Sequence, residues 1–227
     1  MIYGPAGQGK TYFIGTASMD PRTSPILILD FEGGVLSTLE GLPGENETWF
    51  HMQIRSWTDY NKAFDRLDKN VEGFKAVAID SMSETHKFAL FNIIEKEEDR
   101  RKNPDLIEQG DYGTASVQIN RLVRSFRDLP LHVFMTAHAK DETDPREGLV
   151  KKPMMAGRVA EEVPGMMEVV GYLAWTEDEE GAMRRTLLLQ NWPKVRVKVR
   201  TPWGKTAPDE IYDPTITTLL DTLYYEE

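Results

Sequence analysis

The chain has 227 residues, of which 40% are hydrophobic and 28% charged, enough for one α/β domain with a real core. It carries no cysteine and a formal net charge of −10, which excludes a disulfide framework and thiolate metal sites and argues against a protein coated in nucleic acid. The N-terminus lacks a basic region followed by a long apolar stretch, and the apolar runs are strand-length, so neither a signal peptide nor a membrane span is expected and a cytoplasmic location suits the composition.

In chain order, Ile2 and Tyr3 read as the tail of a first strand, which is either short or continued by an upstream segment. A glycine-rich stretch follows, then a helix from Lys10 to about Ser18. Next come a buried strand in "SPILILDFEGG" (24–34), a short strand in "TWFHMQI" (48–54) and a helix over 58–70 with Thr58 as its N-cap. "FKAVAIDS" (74–81) is a further buried strand, 83–100 an amphipathic helix, 101–113 a polar break, and 114–129 a helix with Arg121, Arg124 and Arg127 on one face. "LHVFMTAH" (131–138) is a third buried strand, after which a long loop is expected to about Val163. Two strands joined by an acidic turn are expected over 167–190, an alternating strand over 195–200, and a terminal helix over 215–224. Apolar strands alternating with helices imply a mostly parallel sheet covered on both faces, here with an antiparallel C-terminal hairpin at about 167–200, and all of 1–227 as one domain.

"GPAGQGKT" fits the phosphate-binding pattern G-x-x-x-x-G-K-[ST] through Gly4, Gly9, Lys10 and Thr11. Glycines let backbone N–H groups converge on phosphate oxygens at a helix start, so Gly4, Pro5, Ala6, Gly7, Gln8, Gly9, Lys10, Thr11 and Tyr12 are the expected nucleotide contacts. Lys10 would reach the β- and γ-phosphates, and Thr11 would offer its hydroxyl to Mg²⁺. A strand-ending carboxylate must share that ion, and Asp80 after "AVAI" is placed for it. Hydrolysis needs a group that orients water. Asp30 and Glu32 end the strand after the P-loop and would point the same way if extended, with Glu32 as the catalytic base. His138, at the end of the third buried strand, is a candidate sensor of the γ-phosphate.

The order GPAGQGKT, DFEGG, AIDS, MTAH resembles the RecA-like core of recombinases, in which the catalytic glutamate follows the strand after the P-loop. "DYGTASVQINRLVRSFRDLPLHVFMTAH" is similar more narrowly to phage nucleotide-binding proteins of the Sak-type single-strand annealing group. The resemblance covers about residues 1–200. It implies ATP binding with weak DNA-stimulated hydrolysis, single-stranded DNA as a partner, self-association as a ring or filament, and roles for particular positions: Glu32 as the catalytic glutamate, Asp80 with Ser81 as Walker B, and His138 where recombinases carry a coupling glutamine. Residues 139–163 match the main DNA loop, where Lys151, Lys152 and Arg158 would neutralise phosphates and Met154 and Met155 would offer apolar surface. Spacing would set Lys194, Arg196, Lys198 and Arg200 on one strand face. Lys198 and Arg200 are the candidate finger reaching a neighbour's γ-phosphate. Other classes remain open: a small-molecule kinase with a lid over 93–112, a packaging or partition ATPase, or a nucleotide-dependent interaction module that engages a single-strand-binding protein.

Overall fold

In the computed structural model, which describes residues 1–70, 72–97, 103 and 106–225, the apolar runs lie side by side in one sheet. β1 (Ile2–Gly4), β2 (Ile26–Asp30) and β4 (Ala76–Asp80) are buried at every position, as strands covered on both faces must be. With β3 (Trp49–Gln53), β5 (His132–Asp144), β7 (Val169–Glu177), β8 (Met183–Leu188) and β10 (Glu210–Tyr212), the order is β10-β8-β7-β1-β5-β4-β2-β3. The path from β7 to β3 is parallel, whereas β8 and β10 add antiparallel strands beyond β7. This is the RecA-like arrangement with the antiparallel extension that the sequence implied.

Alternate residues of each strand feed two cores, because successive side chains leave a strand on opposite faces. Ile2, Ile26, Ile28, Ala76 and Ala78 pack under α1 (Lys10–Gly15), the 3₁₀ turn Thr16–Met19, α2 (Val35–Leu39) and α7 (Ile216–Tyr224). Tyr3, Leu27, Leu29, Val77 and Ile79 pack on the other face under α3 (Trp57–Lys69), α4 (Met82–Glu97), α5 (Gln109–Arg127) and α6 (Val159–Met166).

Four expectations change. Ser56, not Thr58, caps α3, its hydroxyl accepting from the Asp59 N–H at 3.2 Å. The polar break gives way at Gln109 to α5, whose first turn is closed by a Glu108–Asp111 capping box; residues 98–102, 104 and 105, where the 83–100 helix was to end and the break and part of the kinase lid fall, lie outside the described residues. The long loop is a hairpin followed by a helix: β5 runs on to Asp144, β6 (Gly148–Pro153) returns against it, and α6 follows. Charged residues on both faces of "AKDETD" hid the strand period there. Finally, 195–200 is not one alternating strand. Lys194 has φ 60°, Val195 bridges to Lys151, and only β9 (Lys198–Val199) pairs in a ladder, with β7.

Candidate nucleotide-binding site

β1 ends at Gly4, whose backbone lies so close to β7 that an added Cβ would stand 2.2 Å from the Leu173 carbonyl oxygen. The chain then loops to Gly9, which takes φ 84° as the N-cap of α1. That left-handed turn is strained for any residue with a side chain. Lys10 follows, buried, with Nζ donating to the Gly4 and Pro5 carbonyls at 3.0 and 2.8 Å. Burial lowers its pKa, opposed by the nearby carboxylates of Asp80 and Glu32. The lysine thus folds back on the loop's own oxygens.

Thr11 donates its hydroxyl to Asp80 Oδ2 at 2.7 Å, and Thr136 on β5 donates to Asp80 Oδ1. Burial raises the Asp80 pKa despite both hydroxyls, with Glu32 and Asp30 adding repulsion. A buried carboxylate held this way gains from a cation. One hydroxyl and one carboxylate fit Mg²⁺, which keeps several positions for phosphate oxygens and water. When bound, the ion would neutralise charge on the β- and γ-oxygens.

Asp30 and Glu32 part company. Asp30 accepts from the N–H groups of Glu32, Gly33 and Val35 at 3.0, 2.7 and 3.1 Å, and its Oδ2 lies 3.2 Å from His51 Nε2. It pins a turn in place of the extended backbone expected, and only Glu32 reaches the site. There Glu32 accepts from the Ser81 hydroxyl, next to the cis Asp80–Ser81 peptide, and its Oε1 lies 3.1 Å from His138 Nε2. His138 stands beside Gly4 in the β1–β5 register. Its N–H donates to Ser83 Oγ at 2.9 Å, Ser83 donates to the Met154 carbonyl, and Met154 N–H returns to the His138 carbonyl at 2.7 Å. The candidate sensor is therefore fastened to the base of the hairpin.

Lys10, Thr11, Asp80, Glu32 and His138 thus converge where β1, β2 and β4 end and β5 leaves the parallel sheet for the hairpin. The other predicted cations do not join them. Lys198 and Arg200 flank the first residues of β7, at the end of the sheet where the Met1 amine donates to Val169, away from the P-loop. Lys198 Nζ donates to the Gly165 carbonyl at 2.7 Å, and Arg200 pairs with Glu168. Arg196 instead runs to Asp144 and Glu147, so the expected basic stripe is dispersed. On the hairpin, Lys151 pairs with Asp141 and Lys152 with Glu142, Arg158 is exposed ahead of α6, and Met155 is buried rather than offered to a ligand.

Sequence reasoning missed three residues. Thr136 was signalled by a lone hydroxyl in an apolar run. Ser83 had no signal beyond its place in a helix start. Arg185 on β8 follows Arg184 in the sequence and carries no motif signal, yet its guanidinium carbon lies 4.8 Å from the centre of the Tyr12 ring, while Gln8 Oε1 accepts from Trp175 N–H at 3.1 Å.

A glycine turn running from a central strand into a helix, its lysine and threonine facing carboxylates at the ends of β2 and β4, is the build of a P-loop nucleotide-binding protein. Residues 1–201 match the AAA domain family, and the chain belongs to that family of P-loop ATPases. Among solved structures, a KaiC-like protein from the hyperthermophilic archaeon Pyrococcus horikoshii OT3 has the same fold, with TM-score 0.50, 12% identity, and coverage of 94% of this chain and 88% of that one. No curated protein matches the chain. Among the described residues, no helix is long and apolar enough to cross a membrane.

Proposed function

We propose that the chain is a Mg²⁺-dependent ATPase that works on single-stranded DNA as a self-associating annealing or recombination protein of the phage Sak type. The observation that carries this reading is the Glu32–His138 contact, because His138 lies on the strand that continues into the β5–β6 hairpin. In this mechanism Glu32 leaves Ser81 and His138 to orient a water in line with the γ-phosphate. Its carboxylate takes the water proton as the new P–O bond forms and the bond to the β-phosphate oxygen breaks. Lys10 turns from the Gly4 and Pro5 carbonyls to the phosphates. His138, freed to meet the γ-phosphate, pulls on Met154 and so reports the nucleotide state to the hairpin. Lys198 and Arg200 serve the site of a neighbouring copy.

The hairpin would hold DNA through Lys151, Lys152 and Arg158. Its lysines are already paired with Asp141 and Glu142, so phosphates must displace those carboxylates and binding should be weak and salt-sensitive. The same charge balance favours a second reading, in which the hairpin engages a protein partner such as a single-strand-binding protein. ATPase rates with and without single-stranded DNA test the choice. Stimulation with DNA retention supports the first reading; an ATPase indifferent to DNA, with no DNA binding at low salt, overturns it.

A further inference from the structure

β1 divides the site. Asp80, Glu32 and His138 all stand on the β5–β4–β2 side, so the reacting end of a bound triphosphate lies there. An α-phosphate and nucleoside extending away from that end would lie toward β7 and β8. On that side, facing α1, the cross-strand partners Trp175 and Arg185 continue the face occupied below by Leu173 and Leu187. Trp175 is 51% exposed, Tyr12 is 40% exposed, and both border the P-loop.

Arg185 is the unusual member. A Cβ on Gly9 would meet its Nη1 at 2.8 Å, so the guanidinium packs directly on the phosphate-binding turn. It rests on the Tyr12 ring, which fixes its plane. Its Nε is shielded from solvent and has no hydrogen-bond partner. Among the described residues no carboxylate pairs with it, although its neighbour Arg184 holds both Asp178 and Asp213. A shielded donor beside an anion-binding turn lacks the acceptor that would offset its desolvation.

We propose that Arg185, propped on Tyr12, is a nucleotide-positioning residue supplied by the same chain, whose guanidinium grips the α-phosphate and ribose end of a nucleoside di- or triphosphate. This rests on the nucleotide-binding reading of the P-loop. It gives the site two cationic poles. Lys10 serves the β- and γ-phosphates, and Arg185 serves the end that does not react. A guanidinium suits that task because its fixed fork can bond an oxygen while its face stays on an aromatic ring.

The test compares wild type with Arg185→Ala, Arg185→Lys and Lys10→Ala, using fluorescent ADP and ATP analogues for affinity and steady-state kinetics for turnover. Arg185→Ala should weaken ADP and ATP alike, by about tenfold or more, and raise KM by more than it lowers kcat. Arg185→Lys, which keeps the stem and charge, should recover part of the affinity, and nucleotide-free melting curves show that each variant is folded. Unchanged affinity for both nucleotides overturns the proposal. So does a fall in kcat with ADP binding intact, which would place Arg185 on the γ-phosphate. If wild type and Lys10→Ala bind nucleotide equally poorly, the P-loop reading itself falls and this assignment with it.

Discussion

At the scale of single residues, the site is a set of groups held away from their work. Glu32 is bound to Ser81 and His138, and Lys10 to loop carbonyls. Glu32→Gln keeps the shape and the Ser81 contact but cannot take a proton. We expect kcat to fall by about 10²- to 10⁴-fold with nucleotide affinity within about threefold, read by single-turnover hydrolysis and equilibrium binding. Asp80 carries a pH signature. Its pKa is raised by burial, so the folded chain binds the proton more tightly than the unfolded chain does. Stability of the nucleotide-free protein should therefore fall as pH rises from about 4 through the raised value. Asp80→Asn should flatten that fall and raise the melting temperature at neutral pH by a few degrees, while Mg²⁺-nucleotide no longer stabilises the variant. A melting temperature that drops instead would show that the charge is already compensated. Gly4 also has a packing role: with the Leu173 carbonyl 2.2 Å from any Cβ, Gly4→Ala should cost more than about 2 kcal/mol in denaturant unfolding, because β1 and β7 must separate.

At the scale of elements, the hairpin is where charge decides the outcome. Lys140 and Lys152 pull the Glu142 carboxyl down to about 2, so these pairs hold at neutral pH and the carboxylate's contribution is lost only as pH falls from the ordinary carboxylate range toward that value. The double variant Asp141→Asn, Glu142→Gln should release Lys151, Lys152 and Lys140. Affinity for a labelled single-stranded oligonucleotide should then rise several-fold at low salt with a steeper salt dependence, measured by fluorescence anisotropy. An unchanged affinity would point to the protein-partner reading. The same charges explain what the sequence concealed. β2 and β4 were legible because "ILIL" and "AVAI" are buried on both faces. The far half of β5 was not, since its polar residues lie on both faces of a ribbon largely open to solvent. The start of α5 was hidden because Gly110 and Gly113 suggest a turn, whereas the Glu108–Asp111 box supplies the missing start signal. Site residues followed the same rule. Asp80, Glu32 and His138 stand at the ends of apolar stretches and could be proposed by position, but Arg185 depends on β7 and β8 lying in that order beyond β1.

At the scale of the whole molecule, the sheet separates two tasks. Its C-terminal edge gathers Lys10, Thr11, Asp80, Glu32 and His138, and its opposite edge carries Lys198 and Arg200 beside the start of β7. Within one chain these cations cannot serve their own P-loop, so any catalytic role requires a second copy that brings this edge to the first copy's site. Lys198 and Arg200 are held by Gly165 and Glu168, in the last turn of α6 and just beyond it, so a docking neighbour need only exchange those contacts for a phosphate. This geometry is best tested by mixing. Arg200→Ala and Glu32→Gln subunits should each be nearly inactive alone. Combined in equal amounts, about a quarter of the interfaces in a closed or filamentous assembly would pair an intact Glu32 site with an intact Arg200 edge. Activity should return toward that fraction, and should rise with protein concentration. If Arg200→Ala alone hydrolyses ATP normally, or if mixing restores nothing, the opposite edge is structural and the ATPase is complete within one chain.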